Sequence, residues 1–381
     1  MKFVVAPDSY KGSLSAAKVG SIMEAAIRSV LPDADIRVIP MADGGEGTVD
    51  ALVAATDGER IAVQATGPLG KPVDTVFGLL KRDDTPIAVM EAANIFGLPM
   101  LAEGQRNPYR TTSRGLGDVL RAALDQGYRR IVIGLGGSST NDGGIGMLTA
   151  LGVTFTDAEG CKLEGYGADL ERIAAVSRDG LDPRLAECDI TVASDVDNPL
   201  CGLRGASHVF GPQKGATPEQ VERLDSAMQA YAALLEREWG TQASLRSGAG
   251  AAGGLGFALM MLGAAIVPGA QVVEQSTGLG EHMAGADWVF TGEGRSDSQT
   301  LFGKLPVHVA RLAKRSGAKA VLISGSLGAD AGELNREFVA CFSAVQRPAS
   351  LQQCMDPDEA EANLSSCVTG VVRVIAASNR V

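Results

Sequence analysis

Ile131-Val132-Ile133-Gly134-Leu135-Gly136-Gly137-Ser138-Ser139-Thr140-Asn141-Asp142-Gly143-Gly144-Ile145-Gly146-Met147 is the stretch whose reading decides the fold of this chain. Three β-branched residues run into two glycine pairs separated by small polar residues. Ile145, Met147, Leu148 and Leu151 then recur at helical spacing, so the pattern predicts strand, glycine-rich turn and helix. Such a turn suits a polyanion. Glycine lets the backbone approach closely, and a helix start offers unpaired amides and a positive dipole end. The hydroxyls of Ser138, Ser139 and Thr140 can add hydrogen bonds, and Asp142 can hold a cation or orient a nucleophile. A purely structural tight turn in an α/β sheet is the competing reading of the same residues.

Outward from there, the chain alternates strands and helices. Lys2 to Ala6 is a short apolar run that meets Pro7-Asp8-Ser9-Tyr10-Lys11-Gly12-Ser13. Ser15 is placed to cap a helix whose apolar positions Val19, Ile22, Met23, Ala26, Ile27 and Val30 follow the helical repeat until Pro32. Ile36 to Ile39 is the next strand, and Pro40 to Thr48 is a second acidic, glycine-rich turn opening a helix through Val49 and Leu52. This is the opening of a doubly wound sheet, in which ligands sit beyond the strand C-termini. From Ile61 to Met90 the pattern becomes hairpin strands, with turns at Gly67-Pro68-Leu69-Gly70 and Asp83-Asp84. Thr217-Pro218-Glu219-Gln220 is a capping box with proline at the first helical position. Strand patterns return at Asp287 to Phe290, Ala320 to Ile323 and Phe338 to Phe342, followed by a closing helix between Pro357 and Ala377. The expected fold is therefore α/β: a discontinuous flavodoxin- or Rossmann-like parallel-sheet domain over 1–61 and 286–381, with a second α/β domain over 62–285 inserted and carrying the phosphate loop.

Composition bounds the function. The 381 residues carry 48 glycines and a formal net charge of −11, which argues against nucleic acid or an anionic membrane surface as partner. The uncharged run from Ser247 to Val273 is rich in glycine and alanine and interrupted by Pro268, so a buried helix pair is expected rather than a membrane span. Within it, Gly248 to Gly253 matches the dinucleotide fingerprint literally, but the polar residues before it are no strand, so the required context fails. The six cysteines form no C-x-x-C pair and have no histidine at metal-ligand spacing, and no signal-peptide pattern precedes the first strand. A reduced, cytoplasmic protein is expected.

Acidic loops follow four of the expected strands: Asp8 with Lys11, Asp43 with Glu46, Asp195 with Asp197, and Glu293 with Asp297. Together with Asp142 they supply hard oxygen ligands of the kind that suit Mg²⁺ beside a substrate's phosphates. Lys11, Lys214, Arg295 and Lys304 are candidate partners for phosphate charge. Phosphoryl transfer needs amides and cations to hold phosphates, a metal, and a carboxylate to take the proton from an attacking hydroxyl. Residues able to supply each of these parts are present, whereas the P-loop, H-R-D, D-F-G and G-x-S-x-G signatures are not.

These blocks resemble the type I glycerate kinases. The resemblance rests on A-P-D-S-Y-K-G-S (6–13), M-A-D-G-G-E-G-T (41–48), G-L-G-G-S-S-T-N-D-G-G (134–144), D-V-D-N-P-L (195–200), F-G-P-Q-K-G-A (210–216), G-A-G-A-A-G-G-L-G (248–256) and T-G-E-G-R-S-D-S-Q-T (291–300), in the expected order along nearly the whole chain. It implies two α/β domains with the active site in the cleft between them. It also implies ATP- and Mg²⁺-dependent phosphorylation of D-glycerate, usually at the 2-hydroxyl, with formation of 3-phosphoglycerate as the alternative. Departures from the family pattern are Tyr10, Ser139, Ser194 and Ser296.

On this reading Gly136, Gly137, Ser138, Ser139, Thr140, Asn141, Gly143, Gly144 and Lys214 hold ATP. Asp8, Ser9, Asp43, Gly44, Gly45 and Glu46 hold glycerate, and Asp297, Glu293 and Asp142 hold the metal. Lys11 and Arg295 neutralise charge at the reacting groups, and Asp195 is the base, with Asp197 as its alternative. Two rivals stay open: an NAD(P)-dependent hydroxy-acid oxidoreductase, disfavoured by Pro7-Asp8-Ser9 where a glycine fingerprint belongs, and a non-catalytic ligand-binding regulator. A homodimer is an open assembly state.

Overall fold

A computed structural model of the protein describes residues 1–81 and 85–378. In chain order the strands are β1 (Lys2–Val5), β2 (Asp35–Val38), β3 (Glu59–Thr66), β4 (Pro72–Leu80), β5 (Ile87–Glu91), β6 (Arg130–Gly134), β7 (Thr154–Thr156), β8 (Ala175–Ser177), β9 (Asp189–Ala193), β10 (Ala265–Val267), β11 (Trp288–Thr291), β12 (Arg295–Ser296), β13 (Lys319–Ser324), β14 (Ser326–Leu327) and β15 (Ala340–Ser343). Contacts divide the chain into two compact units. One comprises Met1–Asp43, Asp50–Gly58 and the chain from Ala270 onward; the other comprises Gly44–Val49 and Glu59–Gly269. The expected α/β class with parallel-sheet cores is what the structure shows.

The first unit is built on a five-stranded parallel sheet in the order β15-β13-β11-β1-β2. Counted within this sheet, that is the flavodoxin-like order 2-1-3-4-5, whose switch point falls between β1 and β11. The helix Ala16–Val30 forms where its periodicity predicts, and the Ser15 hydroxyl accepts from the Lys18 amide at 3.3 Å. Its buried face, Val19, Ile22, Met23, Ala26 and Ile27, joins Phe3, Val5 and Phe290 of the sheet and Leu364, Val368 and Val372 of the closing helix Pro357–Ser378 in one core. Each such large side chain, removed from water, contributes about 1.5–3 kcal/mol. Phe3 and Phe290 meet edge to face at 5.6 Å, tying the two strands that flank the switch point.

The second unit carries a six-stranded sheet in the order β10-β9-β6-β5-β4-β3. The strands β3, β4 and β5 form the antiparallel hairpins expected from the sequence, and β5, β6, β9 and β10 are parallel. The register aligns Glu91, Gly134, Ala193 and Val267 in one row where these parallel strands end. The capping box forms as read: Thr217 Oγ1 accepts from the Gln220 amide at 3.2 Å, and the helix Pro218–Trp239 follows. Its Tyr231 is fully buried and donates to the Gly143 carbonyl at 2.9 Å, so the core holds the glycine loop directly.

The buried helix pair expected over Ser247 to Val273 is interrupted: between the helices Ala251–Met261 and Gly269–Thr277 lies β10, which pairs with β9. Ala265-Ile266-Val267 is a three-residue apolar run, with Ile266 and Val267 β-branched, too short for its period to register. Among the described residues no helix is long and apolar enough to cross a membrane. The turn expected at Asp83-Asp84 lies outside the described residues.

Candidate active site

In the second unit β6 ends at Gly134 and the chain turns through Leu135 to Gly144 before the helix Ile145–Ala150. The glycines are needed for close approach. A Cβ at Gly136 would lie 2.6 Å from Gly45 Cα, and one at Gly134 would lie 2.7 Å from the Gly44 carbonyl oxygen. Gly44 itself, at φ +85°, could not carry a side chain without meeting the Ala193 carbonyl at 2.6 Å. Its carbonyl accepts from the Gly136 amide at 3.0 Å. The two glycine-rich turns singled out in the sequence, around Gly44-Gly45 and around Gly136-Gly137, therefore lie backbone to backbone over the ends of β6 and β9.

The loop's side chains face inward. Ser139 donates its hydroxyl to the Phe96 carbonyl at 2.8 Å, and Asn141 donates to Ser207 Oγ at 2.9 Å. Lys214 is 2% exposed, and its ammonium donates to the Thr140 carbonyl at 2.6 Å and to Ser138 Oγ at 3.2 Å. Burial pushes this ammonium down to about 7, against the pull of Asp142. Asp142 is fully buried as well. It accepts from the Ser113 amide and hydroxyl, both at 2.7 Å, and from the Gly144 and Gly146 amides. Burial raises its carboxyl despite these bonds. Its oxygens hold the start of the helix, a capping use rather than the cation site expected of it. What the loop leaves outward is backbone: Gly137 is exposed at φ +75°, and the amides of Gly137 and Ser138 have no partner among the described residues.

The glycine run 248–254 supports this loop from behind. Gly253 has φ +69°, and a Cβ there would lie 2.1 Å from the Thr140 carbonyl; its own carbonyl accepts from the Gly143 amide at 2.9 Å. The dinucleotide-like pattern is thus a packing surface, with Ala252 held at φ +51° as its neighbour.

Asp195 and Asp197 follow β9, the strand beside β6. Asp195 is exposed, and its Oδ1 accepts from the Gly269 amide at 2.9 Å. Asp197 pairs with Arg204 at 3.3 Å, both side chains being open to solvent. Ser194, one of the departures, accepts from the Val196 amide at 3.4 Å and shapes the same turn. Glu91 has no motif of its own in the sequence. It is 1% exposed, and its carboxylate accepts from the Gly47 and Val49 amides at 3.1 and 2.8 Å, fixing the turn that contains Gly44, Gly45 and the exposed Glu46. Only the register of β5 on β6 brings it there.

In the first unit the acidic loops gather beyond the strand ends at the switch point. The Ala6 and Asp8 amides donate to the Phe290 and Gly292 carbonyls, carrying β1 and β11 outward together. Asp8 is 6% exposed and accepts from the Ser9 amide at 2.6 Å. Burial, then the Asp43 carboxylate, pushes its carboxyl up to about 7; Glu293 adds to the rise and Lys11 opposes it. Lys11 pairs with Asp43 at 2.8 Å. Glu293 accepts from Ser296 Oγ at 2.9 Å and Thr300 Oγ1 at 2.8 Å, with Lys304 Nζ at 3.9 Å. Asp297 caps the next turn by accepting from the Gln299 amide, and Arg295 Nε lies 3.8 Å from it. Two departures acquire uses. The Tyr10 hydroxyl donates to the Ile323 carbonyl at 2.7 Å, and Ser296 bridges Glu293 to Ser324. Among the described residues no three or more metal-ligating side chains already form a cage. The crowding of Asp8, Asp43 and Glu293 does fit a hard cation that takes one or two carboxylates and completes its shell with phosphate oxygens and water.

The arrangement so far is an exposed glycine backbone beside a carboxylate turn in one unit and a carboxylate crowd at a flavodoxin switch point in the other. Residues 3–376 match the family model described as the glycerate kinase family. The chain belongs to the glycerate kinase family. Its relatives include the glycerate kinase of Haemophilus influenzae, 44% identical over 378 residues and covering 99% of both chains, and the glycerate 2-kinase of Escherichia coli K12, 43% identical over 355 residues and covering 93% of each. A crystal structure from Salmonella typhimurium LT2, of a protein assigned as glycerate kinase 2, superposes with a TM-score of 0.89 at 45% identity over the full length of both chains. Glycerate kinases are phosphotransferases, which does not favour the oxidoreductase and regulator readings.

Proposed function

We propose that the protein transfers the γ-phosphoryl group of ATP to the 2-hydroxyl of D-glycerate, giving 2-phospho-D-glycerate and ADP. The observation that carries this reading is the packing of the Gly136-Gly137 turn against the Gly44-Gly45 turn, with Asp195 issuing from the adjacent strand. An outward glycine backbone is suited to phosphate oxygens, since its amides supply donors without side-chain bulk. Gly137 and Ser138 take the phosphates through their backbone amides, and Gly136, whose amide donates to the Gly44 carbonyl, keeps the turn open to close approach. Ser139, Thr140, Asn141, Gly143 and Gly144 keep the loop in shape, and Lys214 does so from inside.

Asp195 is the group that takes the proton from the attacking hydroxyl. Its Oδ1 is steadied by the Gly269 amide, which leaves the carboxylate accessible; Asp197 is engaged by Arg204. Asp8, Ser9, Asp43 and the Gly44 to Glu46 turn receive glycerate, with Lys11 and Arg295 offsetting anionic charge. Glu293 and Asp297 would hold Mg²⁺, which supplies charge neutralisation to the transferring phosphates. The six free cysteines suit a cytoplasmic setting.

The regiochemistry is tested with two truncated acceptors in an ADP-release assay. D-Lactate retains only the 2-hydroxyl and 3-hydroxypropanoate only the 3-hydroxyl. Turnover with D-lactate above that with 3-hydroxypropanoate is expected, and the reverse order would transfer the attack to the 3-hydroxyl.

A further inference from the structure

Lys214 is committed to the inside of the phosphate loop, so its charge reaches a nucleotide only through the backbone it holds. The outer side needs another cation, in a chain whose formal charge is −11. Arg106 is in the right segment. The chain from Phe96 to Leu98 is hydrogen-bonded to the loop, with the Leu98 amide donating to Gly137 and the Ser139 amide to Phe96. Eight residues further on, Arg106 packs against the turn after Lys214: Gly215 has φ +90°, and a Cβ there would lie 2.1 Å from the Arg106 carbonyl oxygen and 3.0 Å from Arg106 Cβ.

The side chain of Arg106 is half-buried, and its Nε is shielded from solvent without an acceptor. Among the described residues its guanidinium makes no ion pair and no hydrogen bond. Among the described residues nearly every other buried side-chain donor is satisfied; Thr140 Oγ1 and Asn141 Oδ1, on the loop itself, are among the few other buried polar atoms left unpaired. Leaving a buried charged donor unmatched costs more than the 1–3 kcal/mol typical of a neutral group, so the site is built for an acceptor that arrives from outside. A planar guanidinium matches a phosphate oxygen pair better than any other side chain does.

We propose that Arg106 binds a phosphate of the nucleotide at the outer side of the Gly136–Gly144 loop. The assignment rests on ATP being the phosphoryl donor. Glycerate's carboxylate is the other oxyanion such a group could take, and its neighbourhood selects the nucleotide: the segment carrying Arg106 is registered on Gly137 and packed beside Lys214.

The test compares Arg106→Met and Arg106→Lys with the wild type. ADP affinity by calorimetry and ATP KM should weaken about 10–100-fold in Arg106→Met, the loss expected for a charge-assisted hydrogen bond. Glycerate KM should change less than about threefold, and Arg106→Lys should recover part of the ADP affinity. The ligand-free Tm of Arg106→Met should be no lower than that of the wild type, because no internal bond is lost and an unmatched donor is removed, while the Tm rise on adding ADP shrinks. A raised glycerate KM with normal ADP affinity would assign Arg106 to the carboxylate and overturn the proposal. So would unchanged affinities, or a lowered ligand-free Tm with ADP binding intact. Should the wild type bind ADP yet fail to phosphorylate glycerate, the functional reading falls while the ADP titrations still decide Arg106.

Discussion

Replacing Lys214 by methionine should change how stability depends on pH by a calculable amount. In the unfolded chain a lysine titrates near 10.5, whereas in the native protein burial holds the Lys214 ammonium at about 7. Between these values the unfolded state binds more protons than the native state, so the contribution of Lys214 to stability rises with pH. The penalty for burying the charge is fully present below about pH 7 and fades as pH climbs toward 10.5. With 1.36 kcal/mol per unit and partial titration at the lower end, the wild type should gain about 2 kcal/mol on the methionine variant between pH 7 and pH 9. Lost hydrogen bonds to Ser138 and Thr140 add an offset that does not vary with pH, so the slope is the diagnostic. Urea unfolding of both proteins at pH 7, 8 and 9 measures it. Parallel curves, or a variant that gains on the wild type as pH rises, would refute the idea of a desolvated ammonium behind the loop.

The remaining predictions concern the loops. Asp195→Asn should lower kcat about 10²–10⁴-fold with little change in ATP KM, whereas Asp197→Asn should stay within about threefold of wild type in steady-state kinetics. Gly253→Ala should destabilise by about 3 kcal/mol, since it combines a positive φ with a 2.1 Å approach to the Thr140 carbonyl; chemical denaturation reads the loss, and ATP KM should rise with it. Glu91→Gln leaves one of two buried amides facing a donor, so about 2 kcal/mol of stability should be lost and glycerate KM should rise about tenfold. Asp8 holds its proton up to about pH 7 in the native state but only to about 3.8 unfolded. Wild-type stability should therefore fall relative to Asp8→Asn as pH rises from 4 to 7 and level off above, which thermal melts across that range would detect.

Local chemistry was legible in the sequence. Ser15 and Thr217 cap the helices assigned to them, and the apolar repeat after Ser15 marks the buried face that the structure shows. The glycine-rich turns also announced themselves, because backbone approach without a Cβ leaves a compositional trace. Facts that depend on which strands lie side by side were not visible. Glu91 reaches the Gly47 and Val49 amides because β5 pairs with β6, and no spacing in the chain encodes that. Lys214 and Asp142 do gather at the loop, but tertiary packing turns them inward, so one braces the loop and the other caps its helix. Arg106 stood in a polar connecting segment with nothing to separate it from a solvated arginine. The strand Ala265–Val267 was hidden inside an uncharged run whose composition suits a helix equally well.

Phosphorus NMR of the purified protein with Mg-ATP and D-glycerate tests the central claim most directly, because it resolves 2-phosphoglycerate from 3-phosphoglycerate in the same spectrum. Growth of the 2-phosphoglycerate resonance in step with ADP is the predicted result. A 3-phosphoglycerate signal would keep the phosphotransferase and contradict the attack by the 2-hydroxyl, and ATP left intact beside D-glycerate would contradict the account as a whole.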